Sequence, residues 1–203
     1  MRLIWRVAIV VIALVAAPTG PVSAGEAAIA EPLRSAWALA QSNVGTAAST
    51  RSASPGWVVT AIEDYVDTRY LARRLLARTD PEADAGDRAR LGEALADWLS
   101  WRARRAVERH GQAWRGLLDD PRSMLLIQRS AVDGSLATAV VELRLGDRRW
   151  DALAQLHRRG GVWRVYDIEV SGLSLQGLLR ALWADVRGNG SLAAGIAALK
   201  ASK

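Results

Sequence analysis

The stretch at 163–186, WRVYDIEVSGLSLQGLLRALWADV, constrains the fold more than any other part of the chain. Apolar residues alternate through its first eight positions, which is the period of a strand, and this predicts one shared face for Tyr166, Ile168 and Val170. After Gly172 the apolar spacing changes to three and four residues, which predicts a helix. A strand that passes directly into a helix marks the place where a sheet meets its covering helices.

Three further strands are predicted upstream of this stretch. The strand-like runs are 123–130, 135–145, 148–158 and 162–170. The separators Asp133-Gly134, Gly146-Asp147 and Gly160-Gly161 are typical of tight turns in antiparallel hairpins. The sequence therefore predicts a four-stranded antiparallel meander with helices before and after it, which is the α+β class.

Helical periodicity dominates the first half of the chain and returns at its end. The predicted helices are 31–40, 57–78, 87–111, 173–186 and 191–200. Residues 42–56 are small and polar with Gly and Pro, and this composition predicts a loop.

Residues 1–24 have the pattern of a secretory signal. Arg2 and Arg6 precede the apolar run VAIVVIALVAA, and small residues come before a cleavage position after Ala24. An uncleaved anchor is the alternative, but the run is short for a span of roughly 20 residues. We therefore expect export to a bacterial periplasm and a single mature domain over 25–203. No second hydrophobic run follows, so we expect no membrane span in that domain.

The composition excludes several kinds of site. The chain has no Cys and only two His, so thiolate chemistry is excluded and a histidine-based zinc site has almost no ligands. Its net charge of +6 is interleaved with acids, whereas a nucleic-acid interface needs clustered basic residues with aromatics. We expect no metal, no cofactor and no nucleic acid.

Catalytic motifs are also missing from the sequence. There is no GxSxG elbow, phosphate-binding loop or dinucleotide fingerprint. His110 and His157 are both predicted to be surface residues. Asp167 lies in an apolar strand, where it is either a general base or a structural hydrogen-bond acceptor, and we favour the structural role because no catalytic partner can be named.

The chain is rich in large apolar side chains, and its nine Trp and three Tyr occur in both the helical and the strand-like parts of the sequence. Most of these rings would simply fill a core. However, a curved sheet covered by amphipathic helices can also enclose an apolar cavity. Each CH₂ group of an acyl chain buried there contributes about 0.8 kcal/mol, so a lipid carrier needs such a cavity and no catalytic residue.

The stretch that begins at Trp163 resembles the periplasmic phospholipid-binding proteins of the Mla, or toluene-tolerance, lipid transport system. The shared pattern is W-x-[VA]-Y-D-[VIM]-x-x-x-G-[VL]-S-[LM], followed by a helix, a glycine turn and a final leucine-bearing helix. Here the pattern is carried by Trp163, Val165, Tyr166, Asp167, Ile168, Gly172, Leu173, Ser174, Leu175, Gly190, Leu192 and Leu199. Upstream, RARLGEALADWLSW at 88–101 is similar to one of the family's paired helices, and HGQAW at 110–114 to its entry into the sheet.

The resemblance implies a curved, NTF2-like antiparallel sheet with helices around a deep apolar cavity that holds a phospholipid. It implies a monomeric carrier that makes transient contacts with an outer-membrane lipoprotein complex and an inner-membrane ABC transporter with MCE subunits. A related branch is associated with hopanoids, which leaves a polycyclic ligand open. The residues expected to line the cavity are Tyr65, Val66, Leu75, Leu95, Trp98, Leu99, Val141, Leu143, Trp150, Tyr166, Ile168, Leu175, Leu179 and Leu182.

Two other classes of function remain open from the residues. One is an NTF2-like enzyme that acts on a hydrophobic small molecule with Asp167 as its base. The other is an interaction module that docks through the arginines at 102–109. We expect a carrier, not an enzyme.

Overall fold

Four helices precede one antiparallel sheet and two helices follow it in the parts of the chain that the structure, a computed structural model, describes: residues 24–49 and 56–203. The helices are α1 (Ala24–Ser49), α2 (Gly56–Tyr65), α3 (Thr68–Thr79), α4 (Ala85–Leu118), α5 (Leu175–Arg187) and α6 (Leu192–Ala201). The strands are β1 (Met124–Asp133), β2 (Leu136–Leu145), β3 (Arg148–Arg159), β4 (Val162–Val170) and β5 (Leu173–Ser174). Apart from Ala24, the predicted export signal lies outside the described residues.

The sheet is curved and its strands follow the order of the chain, each pairing antiparallel with the next. The α+β class and the meander are therefore confirmed, but the sheet has five strands where four were predicted. The extra strand, β5, has only two residues, too few for an alternating pattern. Ser171 and Gly172, with φ of 52° and 78°, form the tight turn that leads into it.

A bulge in β4 changes which residues share a face. Gln155 pairs with Asp167, but the next residue of β3 pairs with Val165, so Tyr166 is the extra residue. As a result, Val165 and Ile168 face one core, whereas Tyr166 faces another. The prediction that Tyr166 and Ile168 share a face was therefore wrong, because regular alternation does not survive an inserted residue.

Helix α1 is much longer than the predicted helix 31–40, and the loop predicted at 42–56 is helical as far as Ser49. Residues 50–55 of that predicted loop lie outside the described residues. The buried stripe of α1 recurs every three or four residues: Ile29, Leu33, Ala36, Trp37 and Ala40. This stripe packs against α4 and the sheet, and these tertiary contacts stabilise the part of α1 from Ile29 to Ala40.

The single helix predicted over 57–78 is two helices, α2 and α3. The break is at Val66-Asp67, where the Asp67 amide donates a hydrogen bond of 2.8 Å to the Val165 carbonyl of β4. The Asp67 side chain then caps α3 by accepting from the amide of Tyr70 at 3.0 Å. The prediction was wrong because the break depends on a partner strand about a hundred residues away.

Helix α4 has 34 residues and is about 50 Å long at 1.5 Å per residue. It begins with a capping box between Asp84 and Asp87, close to the predicted start. It continues past residue 111 to Leu118, so the segment 110–114, expected to lead into the sheet, is helical. Gly92 lets this helix approach α3 closely, because a Cβ there would lie 3.2 Å from the Arg69 Cα.

Two apolar clusters lie along this long helix. The C-terminal half of α4, with α1 and α2, covers one face of the sheet, and we call this cluster the sheet-side core. The N-terminal half of α4 packs with α3, α5 and α6, and we call this cluster the helical core. Tyr166 belongs to the helical core, so the bulge in β4 lets one strand contribute to both.

The face of the sheet opposite α1 carries a buried carboxylate, Glu142, which is 3% exposed. Glu142 makes ion pairs with Arg144 and, at 2.8 Å, with Arg149, and it accepts a hydrogen bond of 2.8 Å from Gln128. The hydrogen bond from Arg144 and the charges of both arginines hold the pKa of Glu142 below its usual value of 4.5. A depressed carboxyl pKa adds stability above the unfolded-state pKa, and that stability is lost as the pH falls through the folded-state pKa.

We therefore expect the urea midpoint to fall below about pH 4.5, and the fall to be shallower in Glu142→Gln. The measurement is urea unfolding at a series of pH values from about 6 to 3. Glu169→Gln is the matched control, because Glu169 is exposed on the same sheet. This variant should keep the wild-type profile. Identical profiles for Glu142→Gln and the wild type would contradict the assignment.

Candidate functional site

The face of the sheet that the helices cover has a floor of small side chains. Ala137 and Ala139 of β2 and Ala152 and Ala154 of β3 all point into the sheet-side core, and Ala139 pairs directly with Ala154. These strands are central, and α1 packs against β1 and β4 on either side of them. Because alanine side chains are small and protein interiors are close-packed, larger side chains must fill the space between these alanines and α1.

Aromatic side chains fill much of the space above this alanine floor. Trp37 of α1, Trp114 of α4 and Trp163 of β4 are buried in the sheet-side core. Trp57 of α2 and Trp150 of β3 are partly buried and pack against it. Because these rings come from five different elements, aromatic packing joins the helices to the covered face of the sheet.

The fourteen residues predicted to line a single cavity are divided between the two cores. In or against the sheet-side core lie Tyr65, Val141, Leu143, Trp150 and Ile168. In or against the helical core lie Val66, Leu75, Leu95, Trp98, Leu99, Tyr166, Leu175, Leu179 and Leu182. Each cluster brings its own members together, and a role in lipid binding stays a prediction for both sets.

An open cleft of about 610 Å³ lies between α1 and the connection from α4 to β1. Its lining residues are Glu31, Arg34, Ser35, Trp37, Ala38, Gln41, Leu118, Asp119, Asp120, Pro121 and Ser123. Trp37 and Leu118 are also members of the sheet-side core. The polar cleft and the apolar core therefore share two side chains as a common boundary.

One side of the cleft carries a strongly paired carboxylate. Asp120 pairs with Arg122 through two side-chain hydrogen bonds, and Arg122 also reaches Asp147. The hydrogen bonds from Arg122 lower the pKa of Asp120 to about 2. Asp120 therefore stays charged at any physiological pH, and its charge is already compensated by the ion pair with Arg122.

The other side of the cleft carries two charges that lack such partners. The Arg34 guanidinium makes no ion pair with any described residue, and its buried Nε has no hydrogen-bond partner there. Glu31 accepts a hydrogen bond of 2.8 Å from Ser35 but pairs with no cation among the same residues. The cleft thus presents one unpaired positive and one unpaired negative group on the same helix.

A polar network joins the break between α2 and α3 to the sheet. The Asp67 carboxylate, 1% exposed, lies 2.8 Å from His157 Nδ1 and 3.3 Å from Arg159 Nη1. The His157 ring stacks on Tyr70 with centroids 4.2 Å apart. The prediction that His157 is a surface residue was wrong, because its partner Asp67 is ninety positions away in the chain.

Asp167 has the structural role that the sequence favoured. It is 4% exposed, and its Oδ1 accepts hydrogen bonds of 2.9 Å from the amides of Ile168 and Gln176. The second of these satisfies an amide in the first turn of α5, beside the cap that Ser174 provides. Asp167 therefore fixes the junction between β4 and α5.

Neither a metal site nor a membrane-spanning helix is found among the described residues. No group of three or more histidine, cysteine or acidic residues in residues 24–49 and 56–203 is placed to hold a metal ion. Over the same residues, no helix combines the length and the apolarity that crossing a bilayer requires.

The arrangement defines an α+β protein with a curved meander, a helix across its covered face and a polar cleft beside that helix. Its fold is similar to that of a phospholipid-binding protein from Ralstonia solanacearum, solved in complex with a phospholipid. The TM-score is 0.57 at 14% sequence identity, over 79% of this chain and 88% of that one. No protein-family model and no curated protein matches the sequence.

Sequence reasoning missed α1 almost entirely as a source of site residues. Trp37 was not singled out, although its spacing from Leu33 and Ala40 is helical and all three are buried. The alternating alanines of β2 and β3 were a second available signal. Alanine at two neighbouring inward positions of each strand indicates a patch of the sheet that larger side chains from the helices must cover.

Proposed function

We propose that this protein is an exported lipid carrier that holds a phospholipid between the alanine floor of the sheet and helix α1. The observation that carries the proposal is the fold shared with a phospholipid-binding protein over most of both chains. The sheet-side core supports it, because an alanine floor with aromatic walls suits acyl chains. Each CH₂ group moved from water into that core contributes about 0.8 kcal/mol.

The proposal includes a route for the lipid. The chain begins with a signal-like segment, so the carrier would act in the periplasm. It would exchange phospholipid between an outer-membrane lipoprotein complex and an inner-membrane ABC transporter with MCE subunits. It would do so as a monomer and without a catalytic step, because moving a lipid between two apolar environments needs no bond to break.

The experiment is phospholipid transfer from donor to acceptor vesicles by purified, delipidated protein. Ala139→Leu adds bulk to the sheet-side core and is expected to slow transfer at least about fivefold, equivalent to about 1 kcal/mol. Ala94→Leu is the matched control, since Ala94 is equally buried in the helical core. It should leave transfer per folded molecule unchanged.

The two variants also test the location of the lipid. Circular dichroism and thermal unfolding give the folded fraction of each, so that loss of fold is separated from loss of binding. No transfer by the wild-type protein would contradict the carrier function. Loss of transfer in Ala94→Leu alone would place the lipid in the helical core, and transfer of a hopanoid but no phospholipid would change the ligand.

A further inference from the structure

We propose that the cleft beside α1 binds a zwitterionic phospholipid headgroup in preference to an anionic one. Such a headgroup consists of a phosphate diester linked to an ammonium group. The inference rests on the proposed function. It assigns to the cleft the charged headgroup of the lipid, which cannot be buried in an apolar core. The cleft volume of about 610 Å³ lies within the usual range for small-molecule pockets.

The charges on α1 carry the inference. Arg34 brings a guanidinium, the side chain best suited to a phosphate, and no described carboxylate neutralises it. Glu31, one turn earlier on the same helix, brings a carboxylate without a cation. A ligand with adjacent negative and positive groups can satisfy both side chains at once.

The carboxylates of the cleft disfavour a purely anionic headgroup. On the loop side, Asp119 is exposed and makes an ion pair of 4.0 Å with the Arg115 Nε. Asp120 is ionised but matched by Arg122. Both loop carboxylates therefore have a cation already, and among the described residues Glu31 is the cleft carboxylate that a headgroup without an ammonium would leave uncompensated.

The position of the cleft connects the headgroup to the acyl chains. Trp37 and Leu118 line the cleft and also belong to the sheet-side core, so they separate the charged groups from the alanine floor. A phospholipid with its headgroup against Arg34 could extend its chains past Trp37 into that core. This orientation places the polar and apolar parts of one ligand in matching surroundings.

The test compares the affinity of delipidated protein for phosphatidylethanolamine and phosphatidylglycerol with identical acyl chains. The wild type is expected to prefer phosphatidylethanolamine about two- to fivefold. Glu31→Gln should reduce that preference with little change in affinity for phosphatidylglycerol. Arg34→Gln should weaken binding of both lipids, because both carry the phosphate.

Controls and a third ligand make the result decisive. Glu93→Gln and Arg78→Gln remove exposed charges outside the cleft and should keep the wild-type preference. Equal affinities for both lipids, unchanged by either cleft substitution, would overturn the headgroup assignment while lipid binding stands. Failure to bind either lipid would overturn the proposed function itself, and tight binding of acyl-free glycerophosphoethanolamine would overturn the assignment to a lipid.

Discussion

Trp183→Ala is expected to lower the free energy of unfolding by about 3–5 kcal/mol, the usual cost of removing a buried tryptophan. Trp183 is 2% exposed in the helical core, and its ring packs so closely on α6 that a Cβ at Gly195 would lie 3.0 Å from it. Its indole also donates to the Thr79 hydroxyl at 3.4 Å. The melting temperature should fall on the order of 10 °C.

The matched control for this substitution is Trp101→Ala. Trp101 is half-buried on α4 and belongs to neither core, so its removal should cost less than about 1 kcal/mol. Equal losses in the two variants would contradict the packing that we describe.

Lipid binding adds a second readout to the same pair. If the ligand lies in the sheet-side core, the folded Trp183→Ala protein should still bind it. Loss of lipid by a variant that remains folded would show that the helical core is the binding site.

Asp67→Ala is the second substitution with a large expected effect, a loss of about 3 kcal/mol in the free energy of unfolding. The change leaves the amide of Tyr70 without its cap and removes the anion that His157 and Arg159 both contact. Because this network joins α3 to β3, the loss should appear as a lower urea midpoint with an unchanged slope.

A double-mutant cycle separates the two roles of Asp67. Coupling between Asp67→Ala and His157→Ala should exceed about 1 kcal/mol, because the two side chains are in direct contact. Asp84→Ala removes an exposed helix cap on the neighbouring α4 and should cost only about 1 kcal/mol. Additive effects of Asp67 and His157 would contradict the network.

The sheet could be predicted from the sequence because its signals are local. Gly134, Gly146 and Gly160 all have positive φ at the turns where glycine was expected. The inward residues of β2 and β3 alternate regularly along each strand, so a local pattern marks them as well. A strand too short to alternate, β5, carried no such signal.

The breaks and bulges could not be predicted because their causes are tertiary. Val66 and Asp67 continue a helical pattern, and only the Val165 carbonyl of β4 ends it there. Tyr166 fits a regular strand, and only its pairing with β3 reveals the bulge. Both features depend on residues that are distant in the chain.

The sequence placed the candidate lipid-binding residues around one cavity, whereas the structure divides them between two cores. The predicted lining residues include Val141 and Trp150 of the sheet-side core, but most of them lie in or against the helical core. Arg34 and Glu31 were missed because a charge on a helix normally indicates a solvated face. Their significance depends on the loop after α4, which closes the other side of the cleft.

The central claim is that the protein carries a phospholipid, and lipid extraction from the protein itself tests it most directly. The protein would be purified from its native host without denaturation, weighed intact by native mass spectrometry, and then extracted for identification of any lipid. We predict one phospholipid per chain, released when the protein unfolds. A protein that carries no lipid in its native form, and takes up none from vesicles, would contradict the account.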